Sequence, residues 1–455
     1  MSTDTIFAPA TAPGRSGVAV FRLSGPQALA AVQALSGRQT FPARKALRVV
    51  LSDPQTQTPL DDGLAIFFPA PRSFTGEDVV ELHIHGGHAT QSAIHKALVT
   101  CPGLRLAEPG AFTKRGYLNG KMDLAQVEAL ADLVAAETEQ QRLQALEASK
   151  GALGQSCRHW RDRLARGYAH LCAVIDFPDE DLPDHIEAQL RTDIQTLCAE
   201  IESGLKAAGR TERIRSGVTV AIVGPPNAGK SSLLNHLAGR NAAIVSDLPG
   251  TTRDVIEIRL DIDGYPVLIW DTAGVREGGD QVEQEGIRRA RERAENADLV
   301  IVCLDGHRSM PADFDPFVGL AGSQGLLVLT KADLGLQPGW SAGPDGGLRS
   351  SGVETLGLSV VTEQGLDAFQ DLLAQKIQAV VGAGASIPDL VVTRERQRIA
   401  LEEALAALQQ SQAALSWDFM AEDLRMAMDA LGEISGAVST DDVLDIIFRD
   451  FCIGK

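Results

Sequence analysis

The spacing of apolar residues changes three times along the chain. Up to about residue 119, short apolar runs are separated by Gly and Pro: "GVAVFRL", "LAIFFPA" and "DVVELHIHG". Their β-branched residues cluster or alternate with polar ones, which predicts strands of a small α+β domain. From Leu124 the period lengthens. Leu124, Val127, Leu130, Leu133 and Val134 recur at three- and four-residue spacings and predict one apolar helix face. Helical texture continues, with breaks, to about residue 210. At Gly217 the pattern turns to continuous apolar runs, "GVTVAIVG", "PVLIWDTAG", "DLVIVCLD" and "GLLVLTKAD". Helical stretches lie between some of them, which predicts a mostly parallel sheet covered by helices on both faces. The glycine-rich stretch 336–352 reads as a loop inside this domain. After about residue 378 the helical period returns in "TRERQRIALEEALAALQQ" and "FMAEDLRMAMDALGEIS". "STDDVLDIIFRDF" then opens on a capping signal, Ser439-x-x-Asp442. The fold class is therefore multidomain α/β, divided at 1–119, 120–214, 215–378 and 379–455. The simplest account is one all-helical domain interrupted by an inserted α/β domain; two unrelated helical segments are the alternative.

Composition narrows the class. A chain of 455 residues suits two to four domains, and 44% hydrophobic content is ordinary for a globular protein. A net charge of −18 argues against coating nucleic acid by bulk attraction, though not against a local basic patch. Six scattered cysteines form no C-x-x-C pair and suit a reducing cytoplasm. No apolar run reaches the ~18 residues of a membrane span, and no signal-like segment precedes "DTIFAPATAPGRSG". The last residues, "FCIGK", invite a Cys-a-a-X lipidation reading through Cys452. Gly454 and Lys455 fit that pattern poorly, and no polybasic run precedes them.

The chemistry begins at "GPPNAGKSS", which follows a predicted strand and opens a predicted helix. Gly224, Gly229, Lys230 and Ser231 match G-x-x-x-x-G-K-S. The glycines let backbone N–H groups curl round a phosphate, Lys230 brings charge to the terminal phosphates, and Ser231 offers a hydroxyl to Mg²⁺. Three further segments come in the order a GTPase needs: "GTTRD" (250–254), "DTAG" (271–274) and "TKAD" (330–333). Together they resemble translation-factor-like GTPases. The first offers a threonine to the γ-phosphate and Mg²⁺. In the second, Asp271 would stand near Mg²⁺ through water and the Gly274 N–H would sense the γ-phosphate. In the third, Asp333 can accept from guanine N1 and N2. The usual base-reading pattern is Asn-Lys-x-Asp; here Thr330 replaces the asparagine and keeps one hydroxyl. "LSVVTEQGL" around Ser359 and Val360 faintly matches a last guanine loop. Ras-like enzymes orient water with a glutamine after D-T-A-G; Val275 stands there and cannot polarise water. Glu277, Asp280, Glu283 and Glu285 are then candidates.

With "PGRSGVAVFRLSG", "SFTGEDVVELHIHGG", "EPGAFTKRGYLNGKMDLAQVEALADL" and "FCIGK" added to these motifs, the whole chain resembles the MnmE (TrmE) tRNA-modification GTPases. The resemblance implies an N-terminal folate-binding and dimerisation domain, a split helical domain and an inserted Ras-like G domain. It implies a homodimer working with the FAD-containing flavoprotein MnmG (GidA), in a heterotetramer or larger complex. Using GTP, Mg²⁺, K⁺ and 5-formyl- or 5,10-methylene-tetrahydrofolate, the pair adds an aminomethyl or carboxymethylaminomethyl group to C5 of the wobble uridine of certain tRNAs. A regulatory GTPase of ribosome or RNA assembly is the alternative class.

Carried over residue by residue, the GTP site comprises Asn227, Ala228, Gly229, Lys230, Ser231, Ser232, Ser246, Asp247, Leu248, Pro249, Gly250, Thr251, Thr252, Asp271, Thr272, Ala273, Gly274, Thr330, Lys331 and Asp333. Mg²⁺ falls to Ser231 and Thr252. Potassium, in place of an arginine finger across dimerised G domains, falls to Asn227, Ser246, Leu248 and Thr251. Glu283 becomes the leading water-orienting residue. Folate contacts map to Arg22, Glu81, Lys121 and Lys455, and Cys452 is a candidate reactive thiol beside the one-carbon carrier, or a small buried filler.

Two patterns carry competing readings. His83, His85 and His88 could ligate a metal or serve packing and hydrogen bonding. Arg288, Arg289, Arg291 and Arg293 could touch tRNA or form a solvated face, with Lys114, Arg115 and Lys121 as rivals for that contact.

Overall fold

The computed structural model describes residues 4–176, 184–240, 257–271, 291–308, 325–337, 340, 353–382, 390–437, 447–448, 451 and 454. They group into two compact units: 1–131 with 149–198 and 403–455, and 132–148 with 199–402. In chain order the elements are β1 (Thr5–Pro9), β2 (Ser16–Ser24), α1 (Ala28–Ser36), β3 (Leu47–Ser52), β4 (Pro59–Phe68), β5 (Val79–Gly86), α2 (His88–Val99), β6 (Leu104–Leu106) and α3 (Ala111–Leu118). Four helices follow: α4 (Leu124–Ala135), α5 (Glu139–Ser149), α6 (Ala152–Asp176) and α7 (Asp184–Ser216). Next come β7 (Val218–Val223), α8 (Lys230–Arg240), β8 (Glu257–Ile262), β9 (Tyr265–Asp271), β10 (Leu299–Asp305), β11 (Leu326–Thr330) and β12 (Glu354–Gly357). Helices α9 (Leu366–Val381), α10 (Glu395–Ala413) and α11 (Trp417–Ser435) complete the set. Among the described residues no helix is long and apolar enough to cross a membrane.

The first unit rests on a six-stranded sheet in the order β3-β4-β5-β2-β1-β6. Its pairs are antiparallel except β1 with β6. Side chains alternate across a strand, so Phe7, Phe21, Leu23 and Leu82 join Val32, Leu35, Ile94 and Leu98 in one core. Ile6 and Ala8 point the other way and pack with Phe112 of α3. Strand β1 is thus buried on both faces, which its apolar sequence TIFAP permits. Arg22 lies between two core residues of β2, opposite Ala8 on one neighbouring strand and Glu81 on the other.

Polar residues pin the elements around that sheet. Arg115 of α3 is buried and donates to the Asp4 carbonyl, the Ser24 carbonyl and the carboxylates of Asp4 and Glu77. It belongs to the fold's internal wiring, so the RNA-contact reading of Arg115 is corrected. At the start of α4, Asp123 Oδ1 accepts from the Gln126 N–H while Gln126 Oε1 accepts from the Asp123 N–H. This reciprocal cap satisfies two otherwise orphaned donors. The face of Leu124 and Val127 predicted from spacing then buries Phe448 and Phe451 from the end of the chain. The capping pair Ser439 and Asp442 lies outside the described residues.

The second unit holds the sheet β12-β11-β10-β7-β9-β8, parallel throughout except for antiparallel β8 at its edge. Continuous apolar runs put residues on both faces into cores. Val220, Ile222, Ile301 and Val328 pack with Leu233 and Leu237 of α8 and Phe369 and Leu373 of α9. Ala221, Val223, Val302 and Leu329 form the opposite core with Trp340. This is the α/β architecture read from the sequence.

Replacing Arg115 by methionine leaves the Glu77 carboxylate, only 12% exposed, without its cation. Arg115→Met is expected to lower stability by about 3 kcal/mol, read as a lower urea midpoint. An unchanged midpoint would mean the ion network does not support the fold.

Candidate functional site

At the carboxyl end of β7 the chain must turn under a close neighbour. Gly224 has φ +147°, and a Cβ there would overlap the Cys303 carbonyl oxygen of β10. Only glycine passes. Asn227 takes φ +61°, a left-handed conformation that asparagine tolerates better than most residues. Gly229 takes φ +84°, and helix α8 starts at Lys230, with Leu233 N–H bonded to the Gly229 carbonyl. The backbone therefore wraps into the positive end of a helix, which is an anion cradle. Lys230 Nζ donates to the Gly224 carbonyl at 2.7 Å and the Pro225 carbonyl at 2.8 Å. Asn227, Ser231 and Ser232 are exposed at the same mouth. Behind it, burial pushes the Cys303 thiol up to about 12, so this cysteine is packing.

The base-reading segment leaves the neighbouring β11. Thr330 ends the strand and is buried. Lys331 takes φ +58° and its ammonium pairs with Asp305 at 2.7 Å. Burial alone would raise the Asp305 carboxyl, but the Lys331 ammonium and the His307 N–H bring it below its ordinary value. Asp333 is exposed in the short helix Ala332–Leu334, and its carboxylate has no hydrogen-bond partner among the described residues. The Ala332 N–H bonds to the Leu358 carbonyl, bringing Ser359 and Val360 beside this loop. Asp271 closes β9 opposite Ile222, at the same end of the sheet. Ser246, Asp247, Leu248, Pro249, Gly250, Thr251, Thr252, Thr272, Ala273, Gly274 and Glu283 lie outside the described residues. Of the arginine run, Arg291 pairs with Glu295 one turn on.

In the first unit, Arg22 donates to Glu81 Oε1 at 2.9 Å from Nη2 and 3.1 Å from Nε. Its guanidinium lies 5.4 Å from the Phe74 ring centre and 5.9 Å from that of Phe112. His83 Nε2 stands 3.6 Å from Glu81, while His85 bonds Asp61 at 2.8 Å. Among the described residues no group of His, Cys, Asp and Glu is placed to hold a metal. Lys121 Nζ donates to the Pro71 carbonyl at 2.9 Å, and Asn119 donates to the Thr75 carbonyl. The 71–77 loop thus touches Arg22 through Phe74 and Lys121 through Pro71. The aromatic platform of Phe74 and Phe112 was not read from the sequence; the signal was two phenylalanines in "SFTGED" and "GAFTKRG".

The end of the chain enters this unit. Gly110 leaves no room for a Cβ against the Phe448 carbonyl, and Gly454, at φ +95°, none against the Pro9 carbonyl. Pro9 follows Ala8, the residue opposite Arg22. Cys452 and Lys455, on either side of Gly454, lie outside the described residues.

Comparison with known proteins matches the chain to one family in two segments. The family model described as the GTP-binding protein TrmE N-terminus matches residues 5–121. The MnmE helical domain model matches residues 124–452. The tRNA modification GTPase MnmE of Parvibaculum lavamentivorans is 52% identical, across 99% of this chain and 100% of its own. That of Rhodospirillum rubrum is 50% identical over the full length of both chains. The human mitochondrial 5-taurinomethyluridine-[tRNA] synthase subunit GTPB3 is 44% identical, across 99% of this chain and 93% of its own. With relatives this similar along its whole length, the chain belongs to the MnmE family of tRNA modification GTPases.

Proposed function

We propose that the chain hydrolyses GTP to drive modification of the wobble uridine of tRNA, in the cytoplasm and as a homodimer. The finer reading adds a folate one-carbon donor and a flavoprotein partner of the MnmG (GidA) type. Together they place an aminomethyl or carboxymethylaminomethyl group on uridine C5. The observation that carries it is the anchoring of Gly454 on Pro9, which ties the "FCIGK" tail to the strand beside Arg22.

In the G domain, Lys230 exchanges two loop carbonyls for the terminal phosphates, and the N–H groups from Asn227 to Ser232 receive the phosphate oxygens. The Asp333 carboxylate accepts from guanine N1–H and N2–H. The donor set fits the expected ions: Ser231 and Thr252 would hold Mg²⁺, and Asn227, Ser246, Leu248 and Thr251 would hold K⁺. When bound, the two cations offset charge at the β- and γ-phosphates, the role an arginine finger fills elsewhere. Glu283 orients the attacking water, since Val275 cannot. The charged residues of the N-terminal site suit a reduced folate by their chemistry. Glu81, with Arg22 bonded to it, suits the donors and acceptors of a pterin, and the cations Lys121 and Lys455 suit the glutamate tail. Cys452 would serve as the reactive thiol beside the one-carbon carrier, or else as a small buried filler. Division at 1–119, 120–214, 215–378 and 379–455 assigns these roles to the folate, helical, G and second helical segments.

Exchange of potassium for sodium is expected to slow GTP hydrolysis by about 10²-fold or more, given the ~10³–10⁵ that an arginine finger supplies. Equal rates in the two salts would remove the cation's role. Glu283→Ala is expected to lose turnover at unchanged GTP affinity, measured by single-turnover hydrolysis beside nucleotide titration. Loss of affinity with turnover per bound GTP intact would make Glu283 structural. Tetrahydrofolate should bind the intact dimer; no binding would favour the regulatory GTPase reading instead.

A further inference from the structure

Thr330 stands where guanine-reading loops usually carry asparagine, and its hydroxyl is already engaged. Thr330 is 3% exposed. Its Oγ1 lies 2.8 Å from the Ala228 carbonyl in the phosphate loop and 3.0 Å from the Leu304 carbonyl of β10. Both partners are acceptors, so the single hydroxyl proton serves them and nothing else. The rest of the side chain is a wedge. A Cβ built at Gly229 would meet Thr330 Cβ, Cγ2 and Oγ1, each at 3.2 Å. The β-branched residue therefore fills the space behind the turn that launches α8.

A side chain that reads guanine O6 or N7 must bring a donor, because both atoms are acceptors. Thr330 could do so only by releasing the phosphate loop. Asp333, three residues on, is exposed and unpartnered among the described residues. Its carboxylate matches guanine N1–H and N2–H and needs no help from a hydroxyl. We infer that Thr330 is a positioning residue, strapping the phosphate loop to β10 and β11, and that guanine selection rests on Asp333 without it. The strap holds the loop through Ala228, next to the Gly229 and Lys230 backbone that faces phosphate. Its loss therefore weakens every nucleotide by one factor, whatever the base.

The inference rests on the guanine-nucleotide reading of this site, and calorimetric titration of the full-length protein separates the two. The ligands are GDP, ADP and 7-deaza-GDP, which lacks the N7 acceptor. Thr330→Val keeps the wedge and removes the proton. It is expected to weaken GDP, ADP and 7-deaza-GDP equally, by about 5- to 100-fold. The GDP-to-ADP preference should hold within about twofold. Thr330→Ser should restore affinity, and Asp333→Asn should collapse the preference. If Thr330→Val does not fold, Thr330→Cys, whose thiol is a weak donor, should show the same uniform loss against Thr330→Ser. Unchanged affinity overturns the strap. So does a loss larger for GDP than for 7-deaza-GDP, or a fallen GDP-to-ADP preference. A wild-type protein that does not prefer GDP to ADP would instead remove the guanine reading itself.

Discussion

The close approach of Gly224 to the Cys303 carbonyl is the constraint on which the nucleotide site depends. Two parallel strands, β7 and β10, run side by side to their carboxyl ends, with Val223 paired to Val302. Any side chain at residue 224 would push the turn away from β10. Thr330 could then no longer reach Ala228 while staying on Leu304. The loop, the base-reading strand and the start of α8 are thus one mechanical object. Ligands bind outside the carboxyl ends of strands in open α/β sheets because such turns gather there. Here Asp271, Thr330 and the loop after Val223 all leave the sheet at that edge.

The N-terminal unit solves a different problem, that of keeping charge inside a small sheet. Arg22, Glu81 and Arg115 occupy largely buried positions, and each is answered by an opposite charge. Arg115 is enclosed by carbonyls as well as carboxylates, which suits a permanent structural ion pair. Arg22 is held on one edge by Glu81 and covered by two aromatic rings, with about a fifth of its side chain exposed. A cation held this way keeps its position while leaving donors for a ligand. The arginine of β2 thus stays partly open, while the arginine of α3 is enclosed.

Much of this was legible in the sequence, for reasons that can be named. Strands β2, β5, β7, β10 and β11 announce themselves by β-branched runs, and the phosphate loop by its glycines. The helical face of Leu124 and Val127 follows from spacing alone. Short elements were harder. β1 is five residues long, β6 three and β12 four, too short to show a period, and β1 pairs with β6 about 100 residues along the chain. The role of Arg115 was illegible because "TKRG" gives no sign that Asp4 and Glu77 converge on it. Thr330 was legible as a departure but not as a strap, since its partners are 102 and 26 residues away.

The same logic bears on the tail, which fits a Cys-a-a-X pattern poorly in sequence. A Cys-a-a-X segment must be free for a transferase to reach. Phe448 and Phe451 are instead buried against Leu124 and Val127, and the Phe448 ring also lies beside Tyr117 and the Lys114 ammonium. Gly454 sits where a methyl group would strike the Pro9 backbone. Phe448, Phe451 and Gly454 are each placed against the same unit, so the anchoring is not an accident of one side chain. Burying two phenylalanines is worth several kcal/mol, by the usual ~2 kcal/mol for each large apolar side chain. Extracting the tail for modification would cost that and expose the apolar face of α4. A glycine next to the last lysine then has a physical reason: only a residue without a Cβ lets the chain end lie against β1.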